Sequence, residues 1–322
     1  MKMAILGAGS IARKMSVTIN EMDEVTCYAV ASRDYNKAEA FAKEFGFVRA
    51  YGSYEEMLSD PEVDLVYVAT PHSHHYEHVK LCLNHGKHVL CEKAFAVNAK
   101  QAEEMFALAI KKRLLLTEAI WTRYMPIRKI LDDIIASGII GNASMLTANL
   151  GYVMNHVPRI IDPALAGGAL LDVGVYPINF ALMAFGDEIE RITTTAVLTD
   201  KGVDAQNSIT LVYKDGRMAV LHSTMLSQTD RQGIISGSKG LIVAENINNC
   251  ERIRVYDLDG KELACYDAPK QITGYEYEVR ACINALQEGK LECEEMPHAE
   301  TIKVMKLMDK LRKEWGVVYK AD

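Results

Sequence analysis

The sequence has no C-x-x-C pair. Its seven cysteines lie apart at 27, 82, 91, 250, 265, 282 and 293, an odd and scattered set that encodes neither a disulfide framework nor a thiolate zinc site. Basic charge is not in excess either. Lys plus Arg number 36 against 43 Asp plus Glu, and the net charge of −7 repels phosphate backbones and anionic lipid, so neither nucleic acid nor a membrane is expected as a partner. No apolar run reaches membrane-spanning length without Asp, Pro or Lys, and the early Met3-Ala4-Ile5-Leu6 is too short for a secretory core. A cytoplasmic location is the expectation. Internal repeats and low-complexity linkers are also missing.

What is present is an ordinary globular composition. Apolar residues make up 49% of the 322 and charged residues 25%, which fits neither a disordered nor a fibrous chain. At roughly 150 residues per domain this length corresponds to about two domains, each able to bury a core. The texture changes near residue 120, which divides the chain into a first domain over 1–120 and a second over 121–322.

In the first, short β-rich runs alternate with helical patterns, as in parallel strands joined by helices. The expected strands are Lys2 to Leu6, Val25 to Ala31, Asp64 to Ala69, His88 to Cys91 and Leu114 to Thr117. Ser53 with Glu56 and Asn98 with Gln101 have the spacing of capping boxes, and Gly46 and Gly86 stand where helices end. This half reads as α/β, a doubly wound parallel sheet of Rossmann type. The second has a helical stretch over 127–137, then consecutive β-rich runs over 143–152, 189–198, 208–214 and 218–226. Hairpin signals stand at Asp215-Gly216 and Asp259-Gly260, and helical segments over 275–287 and 299–314 close the chain. That half reads as α+β with a large, mostly antiparallel sheet.

Four stretches carry chemistry. Gly7-Ala8-Gly9-Ser10-Ile11-Ala12 follows a strand and opens a helix, the setting of a dinucleotide fingerprint. Gly7 permits the turn, Gly9 admits a pyrophosphate to the backbone, and Ala12 lets the helix pack close. About 20 residues on, where an acid would hold the 2'-hydroxyl of NAD, stand Ser32 and Arg33, which suit the 2'-phosphate of NADP; Asp34 leaves NAD open. After the third long strand, Thr70-Pro71-His72-Ser73-His74-His75-Tyr76-Glu77-His78 reads as a cofactor-lining loop and helix start. A histidine metal site is the competing reading, but no acid or cysteine is placed to complete it.

Glu92-Lys93 ends a buried strand at the edge where such sheets bind ligands, although an isolated Glu-Lys is as often a surface pair. Within Gly167 to Asn179, Asp172, Tyr176 and Asn179 recur at i, i+4 and i+7, so a helix would set them on one face. That face is either catalytic or a satisfied buried network.

Together these residues resemble the glucose-fructose oxidoreductase and inositol dehydrogenase family, Gfo/Idh/MocA, and within it the branch of dimeric dihydrodiol dehydrogenases and glucose-fructose oxidoreductases. The resemblance spans nearly the whole chain and rests on Gly7 to Ala12, Thr70-Pro71 with His75, Glu92-Lys93, and Gly167 to Asn179. Glu118-Ala119 with Trp121 and Arg123, and Arg159, also look like that branch. It implies hydride transfer between NAD(P) and the carbinol or carbonyl of a sugar, polyol or trans-dihydrodiol, with Lys93 and Tyr176 doing acid-base work and Asp172 in the substrate pocket.

The implied cofactor contacts are Gly7, Gly9, Ser10, Ile11, Ala12, Ser32, Arg33, Thr70, Pro71, His72, His75, Glu92 and Lys93. Trp121, Arg123, Arg159, Asp172 and Asn179 are expected near substrate, with Asn155 and His156 as further pocket residues. No metal is expected, and a homodimer or dimer of dimers is. One residue departs from the family pattern of Glu-Lys-Pro with a cis bond: Ala94 follows Lys93, so this peptide is either cis or trans with a shifted lysine. A non-catalytic, NADP-responsive regulator is the alternative from another class, and it has no need of Lys93, Asp172 and Tyr176 together.

Overall fold

A computed structural model describes residues 1–322. Backbone contacts divide them into two units, Met1–Tyr124 with Gln271–Met305, and Met125–Lys270 with Lys306–Asp322. In the first, β1 (Lys2–Leu6), β2 (Thr26–Ala31), β3 (Arg49–Tyr51), β4 (Leu65–Val68), β5 (His88–Glu92) and β6 (Leu116–Ala119) form one parallel sheet in the order β3-β2-β1-β4-β5-β6. Met3 to Leu6 and Leu65 to Val68 are fully buried, which is why these strands read as unbroken apolar runs: helices cover both faces of a parallel sheet. Strand order reverses between β1 and β4, the place where such sheets leave a crevice at their carboxyl edge.

The intervening helices are α1 (Ser10–Asn20), α2 (Tyr35–Phe45), α3 (Tyr54–Leu58), α4 (His72–Asn84) and α5 (Ala99–Lys112). Ser53 Oγ accepts from Glu56 N at 3.2 Å and Asn98 Oδ1 from Gln101 N at 2.9 Å, the helix starts that the sequence announces.

The second unit begins with α6 (Pro126–Ala136) and β7 (Ala143–Gly151), and continues through a π turn at Leu170–Gly174 into α7 (Val175–Phe185). Then come β8 (Ile189–Leu198), β9 (Asp204–Tyr213), β10 (Met218–Thr224), β11 (Gly233–Gly237), β12 (Gly240–Glu245), β13 (Arg252–Asp257) and β14 (Glu262–Asp267). These strands make an eight-stranded sheet, β14-β13-β12-β11-β7-β10-β9-β8, antiparallel except where β10 lies parallel to β7. The alternation in β9 (Asn207, Ile209, Leu211, Tyr213) and β10 (Ala219, Leu221, Ser223) sends one face inward, and α7 packs on β7 and β10. α7 is apolar over most of its surface because Val175 to Leu182 and Phe185 are buried. By length and composition the stretch Pro163–Phe185 is apolar enough to cross a membrane, yet 89% of its most apolar window is buried within the protein.

The chain ends with α8 (Glu276–Gln287) and α9 (His298–Trp315). The sequence assigns everything after residue 120 to one domain; instead, Gln271–Met305 clusters with the parallel sheet. Hydrogen bonds give the reason. Leu116 N donates to Leu291 O at 3.1 Å, a ring nitrogen of His298 meets Leu116 O at 2.9 Å, and Thr18 and Thr273 join hydroxyls at 2.6 Å, so this segment is tied to β6 and α1.

A buried polar network fixes the π turn. Asp204 Oδ2 accepts from Leu170 N and from Asn207 Nδ2, each at 2.8 Å, and Ser223 Oγ donates to Asn207 Oδ1 at 3.0 Å. Tyr319 donates its hydroxyl hydrogen to Gly167 O. Gly168 sits at φ +118°, and a Cβ there would lie 2.3 Å from Asp204 Oδ1, so only glycine fits.

Burial outweighs the donated hydrogen bonds and pushes the Asp204 carboxyl up from 3.8 to about 7. A carboxyl raised on folding stabilises the native state fully below its unfolded pKa, and that contribution is lost as pH rises through the folded value. We expect the unfolding free energy to fall between about pH 4 and pH 7 through this group, by up to roughly 4 kcal/mol at about 1.4 kcal/mol per unit. Asp204→Asn, which keeps an acceptor for Leu170 N, is expected to flatten that slope in urea titrations. Glu118, pushed up to about 7 by burial, titrates in the same window, so the quantity to read is the difference between variant and wild type.

Candidate active site

β1 delivers the chain to Gly7 at φ +104°, where a Cβ would crowd Thr70 Cγ2 at 3.1 Å and Ala69 O at 3.2 Å. Gly9 differs: a Cβ there would find only Ala69 O, at 3.9 Å. The first glycine is required by the protein's own packing, whereas the second leaves backbone open for something outside the chain. Gly9 is the N-cap of α1 and no side chain caps that helix, so its first N-H groups are available to an anion. Ser10 is exposed, Ile11 half-buried and Ala12 fully buried against the sheet. This cradle fits the pyrophosphate of a dinucleotide.

Beyond β2, Ser32 is buried and its hydroxyl accepts from Asp34 N at 3.3 Å. Asp34 Oδ1 accepts from Asn36 N at 3.0 Å and Lys37 N at 3.3 Å, capping α2. That carboxylate is engaged in starting a helix. Arg33 between them is exposed and makes no hydrogen bond or ion pair in the chain.

At the carboxyl ends of β4 and β5 two loops are joined by one imidazole. His75, fully buried, faces Ala94 O with Nδ1 at 2.9 Å and Thr70 O with Nε2 at 2.7 Å; burial pushes it down to about 4. Expected to line the cofactor, it braces the Thr70-Pro71 loop against the residues after Lys93. Pro71 is the N-cap of α4 and His72 is buried in its first turn. No group of three or more His, Cys, Asp or Glu side chains is arranged to hold a metal ion.

The Lys93–Ala94 peptide is cis, which answers the question raised by the missing proline. Lys93 is half-buried, its N-H donating to Glu92 Oε2 at 3.2 Å, and Glu92 also accepts from the Tyr67 hydroxyl. Near Glu92 lies Glu278, fully buried with neither carboxyl oxygen hydrogen-bonded; burial and the Glu92 charge hold it well above the carboxylate range. Nothing in the sequence marks Glu278, because a Glu within a helical pattern reads as solvated.

In the same unit Trp121 stacks on Tyr275, centroids 4.2 Å apart, and Arg123 pairs with Glu300 at 3.1 Å while almost wholly buried. In the second unit Arg159 pairs with Asp172 at 2.9 Å, Asp172 being buried and Arg159 exposed. Asn155 and His156 are exposed. Tyr176 is 7% exposed in the first turn of α7, and Asn179, fully buried, donates from Nδ2 to Val175 O at 2.8 Å. A π turn over Leu170–Gly174 carries Asp172 and runs directly into α7, which carries Tyr176 and Asn179.

Comparison with known proteins agrees with both halves. The model of the oxidoreductase family with an NAD-binding Rossmann fold, GFO_IDH_MocA, matches residues 1–119, and that of the GFO/IDH/MocA C-terminal domain matches 129–243. A trans-1,2-dihydrobenzene-1,2-diol dehydrogenase of Xenopus tropicalis is 35% identical over 330 residues, covering 99% of each chain. The human enzyme of that name is 33% identical over 330 residues, covering 100% of this chain and 99% of its own. KijD10, a 3-ketoreductase from Actinomadura kijaniata in complex with NADP and TDP-benzene, superimposes with a TM-score of 0.89 at 25% identity over 97% of each chain. Levoglucosan dehydrogenase, in complex with NADH and L-sorbose, shares the fold with a TM-score of 0.87 at 18% identity, covering 98% of this chain and 97% of its own. The cradle at Gly7 to Ala12 and the two matched halves identify the chain as a member of the Gfo/Idh/MocA family, an NAD(P)-dependent oxidoreductase.

Proposed function

We propose that this enzyme interconverts a carbinol and a carbonyl on a sugar, polyol or trans-dihydrodiol, using NADP in preference to NAD. The observation that carries the reading is that one unit holds both a side-chain-free helix start behind Gly7 and Gly9 and a lysine at the carboxyl end of β5. Full-length similarity to dihydrodiol dehydrogenases supports the substrate class. For the cofactor, support comes from Arg33, which has no partner of its own, and from Asp34, whose carboxylate caps α2 and so is not at hand for a 2'-hydroxyl.

Oxidising a carbinol removes a hydride from carbon and a proton from oxygen, leaving the carbonyl. When bound, the nicotinamide ring supplies the hydride acceptor. The chain supplies the proton path. Tyr176 as phenolate takes the hydroxyl proton, and in the reducing direction the phenol returns it to the alkoxide. A tyrosine has an ordinary pKa of about 10, so phenolate has to be favoured by its surroundings, and Lys93 at the end of β5 is the second acid-base group of the reading. Asp172, oriented by Arg159, accepts from a substrate hydroxyl. Apolar residues exposed on the outer strands, Val197 and Leu198 on β8 and Leu263 and Tyr266 on β14, support self-association through this sheet, which sedimentation would measure.

The test is a panel of aldoses, polyols, 1,2-diols and dicarbonyls assayed with both cofactors. On the best substrate, Lys93→Met and Tyr176→Phe should each lower kcat at least a hundredfold while dinucleotide affinity stays within about threefold; full activity in either variant removes that residue from the mechanism. Arg33→Ala should weaken NADP binding by roughly 10- to 100-fold, as expected for a lost charge-assisted hydrogen bond, and leave NAD binding unchanged.

A further inference from the structure

Two histidines near Arg33 are not accounted for by the reaction. His74 and His78, one turn apart on α4, stack with centroids 5.6 Å apart and planes at 25°. Nδ1 of His74 contacts Ser73 Oγ at 2.9 Å and Nδ1 of His78 contacts Thr70 Oγ1 at 3.0 Å. When those hydroxyls donate, each ring carries its proton on Nε2, and no group of the chain engages Nε2 on either ring. Tyr54, at the start of α3, sets its ring against His78 at 4.9 Å and 75°. The positive charge of Arg33 acts on His74, His78 and Tyr54 alike, so the four side chains share one patch beyond the carboxyl ends of β2 and β4.

The one fixed charge that acts on both rings is that of Arg33. Arg33 faces them from the loop after β2, the neutral Tyr54 from α3, and His75 from α4 itself, while Glu55 acts on Tyr54 and no carboxylate acts on either His74 or His78. Burial pushes His78 down to about 4, with the His74 and His75 rings and Arg33 adding to it, and burial with Arg33 lowers His74. Nothing within the chain stabilises an imidazolium here. A phosphomonoester does, since it brings nearly two negative charges and three acceptor oxygens.

We propose that His74 and His78 extend the Arg33 site into a proton-accepting seat for the 2'-phosphate of NADP, so that NADP binding protonates the ring pair and preference for NADP over NAD grows as the medium turns acidic. This rests on the NADP reading above. The sign follows from linkage: the rings hold fewer protons in the free protein than in the complex, so NADP affinity rises as pH falls through the window between the two states. The phosphate's own second pKa of about 6 sets the lower end, because a protonated monoester is the weaker ligand.

Isothermal titration of the full chain with NADP and with NAD, each in two non-phosphate buffers of different ionisation enthalpy at pH 6.5, reads the protons directly. The expected result is net proton uptake with NADP, none with NAD, and an NADP:NAD affinity ratio that rises severalfold from pH 8 to pH 6. The double variant His74→Gln, His78→Gln, checked for folding by circular dichroism, should still bind NADP through Arg33 but lose the uptake and the pH dependence of the ratio. Wild-type binding without uptake, or uptake retained in the double variant, overturns this inference even where Arg33→Ala confirms NADP selectivity. Equal affinity for both dinucleotides throughout, insensitive to Arg33→Ala, overturns the NADP reading and this one with it.

Discussion

A helix that follows a strand of a parallel sheet begins with N-H groups that something must satisfy. Here α2, α3 and α5 meet that demand with Asp34, Ser53 and Asn98, whereas α1 and α4 have no side-chain cap at all. Those two helices follow β1 and β4, the pair at which strand order reverses. Among the helices that connect strands of the parallel sheet, those left without a side-chain cap are the two beside the crevice, and that unequal distribution is what a dinucleotide site can use.

The second unit is governed by a different demand, the burial of a polar turn. Gly167 and Gly168 let the chain pass close to Ile160 O and Asp204, and Asp204 then holds the first N-H of the π turn. Asp172 and Tyr176 inherit their directions from that turn. A carboxyl buried this deeply is costly as an anion, so the support for these side chains is itself sensitive to protonation.

Much of this was legible in the sequence, for identifiable reasons. β1 and β8 run over the stretches that their patterns mark, and Asp215-Gly216 and Asp259-Gly260 do join antiparallel neighbours, because turn chemistry and alternation are local signals. The π turn was not legible: Leu170 to Phe185 has uninterrupted helical periodicity, and the extra residue per turn depends on Asp204 more than thirty positions away. The attachment of Gln271–Met305 to the parallel sheet was hidden likewise, since it rests on pairings such as Leu116 with Leu291. In the site, the glycines declared themselves by spacing, whereas Glu278, His75 as a strut and the engagement of Asp34 are facts of burial and partnership that no single stretch records.

The position of Asp34 bears on how this protein's appetite for cofactors can be redesigned. A naive scheme would enlist the acid already present after the second strand to grip a ribose. That acid anchors a helix, and drawing it away would fray α2 from its first turn. A carboxylate meant for the unphosphorylated coenzyme has to be introduced two places earlier, at Ser32, where the backbone leaves the sheet; there it replaces the hydroxyl that accepts from Asp34 N and leaves the Asp34 bonds to α2 in place.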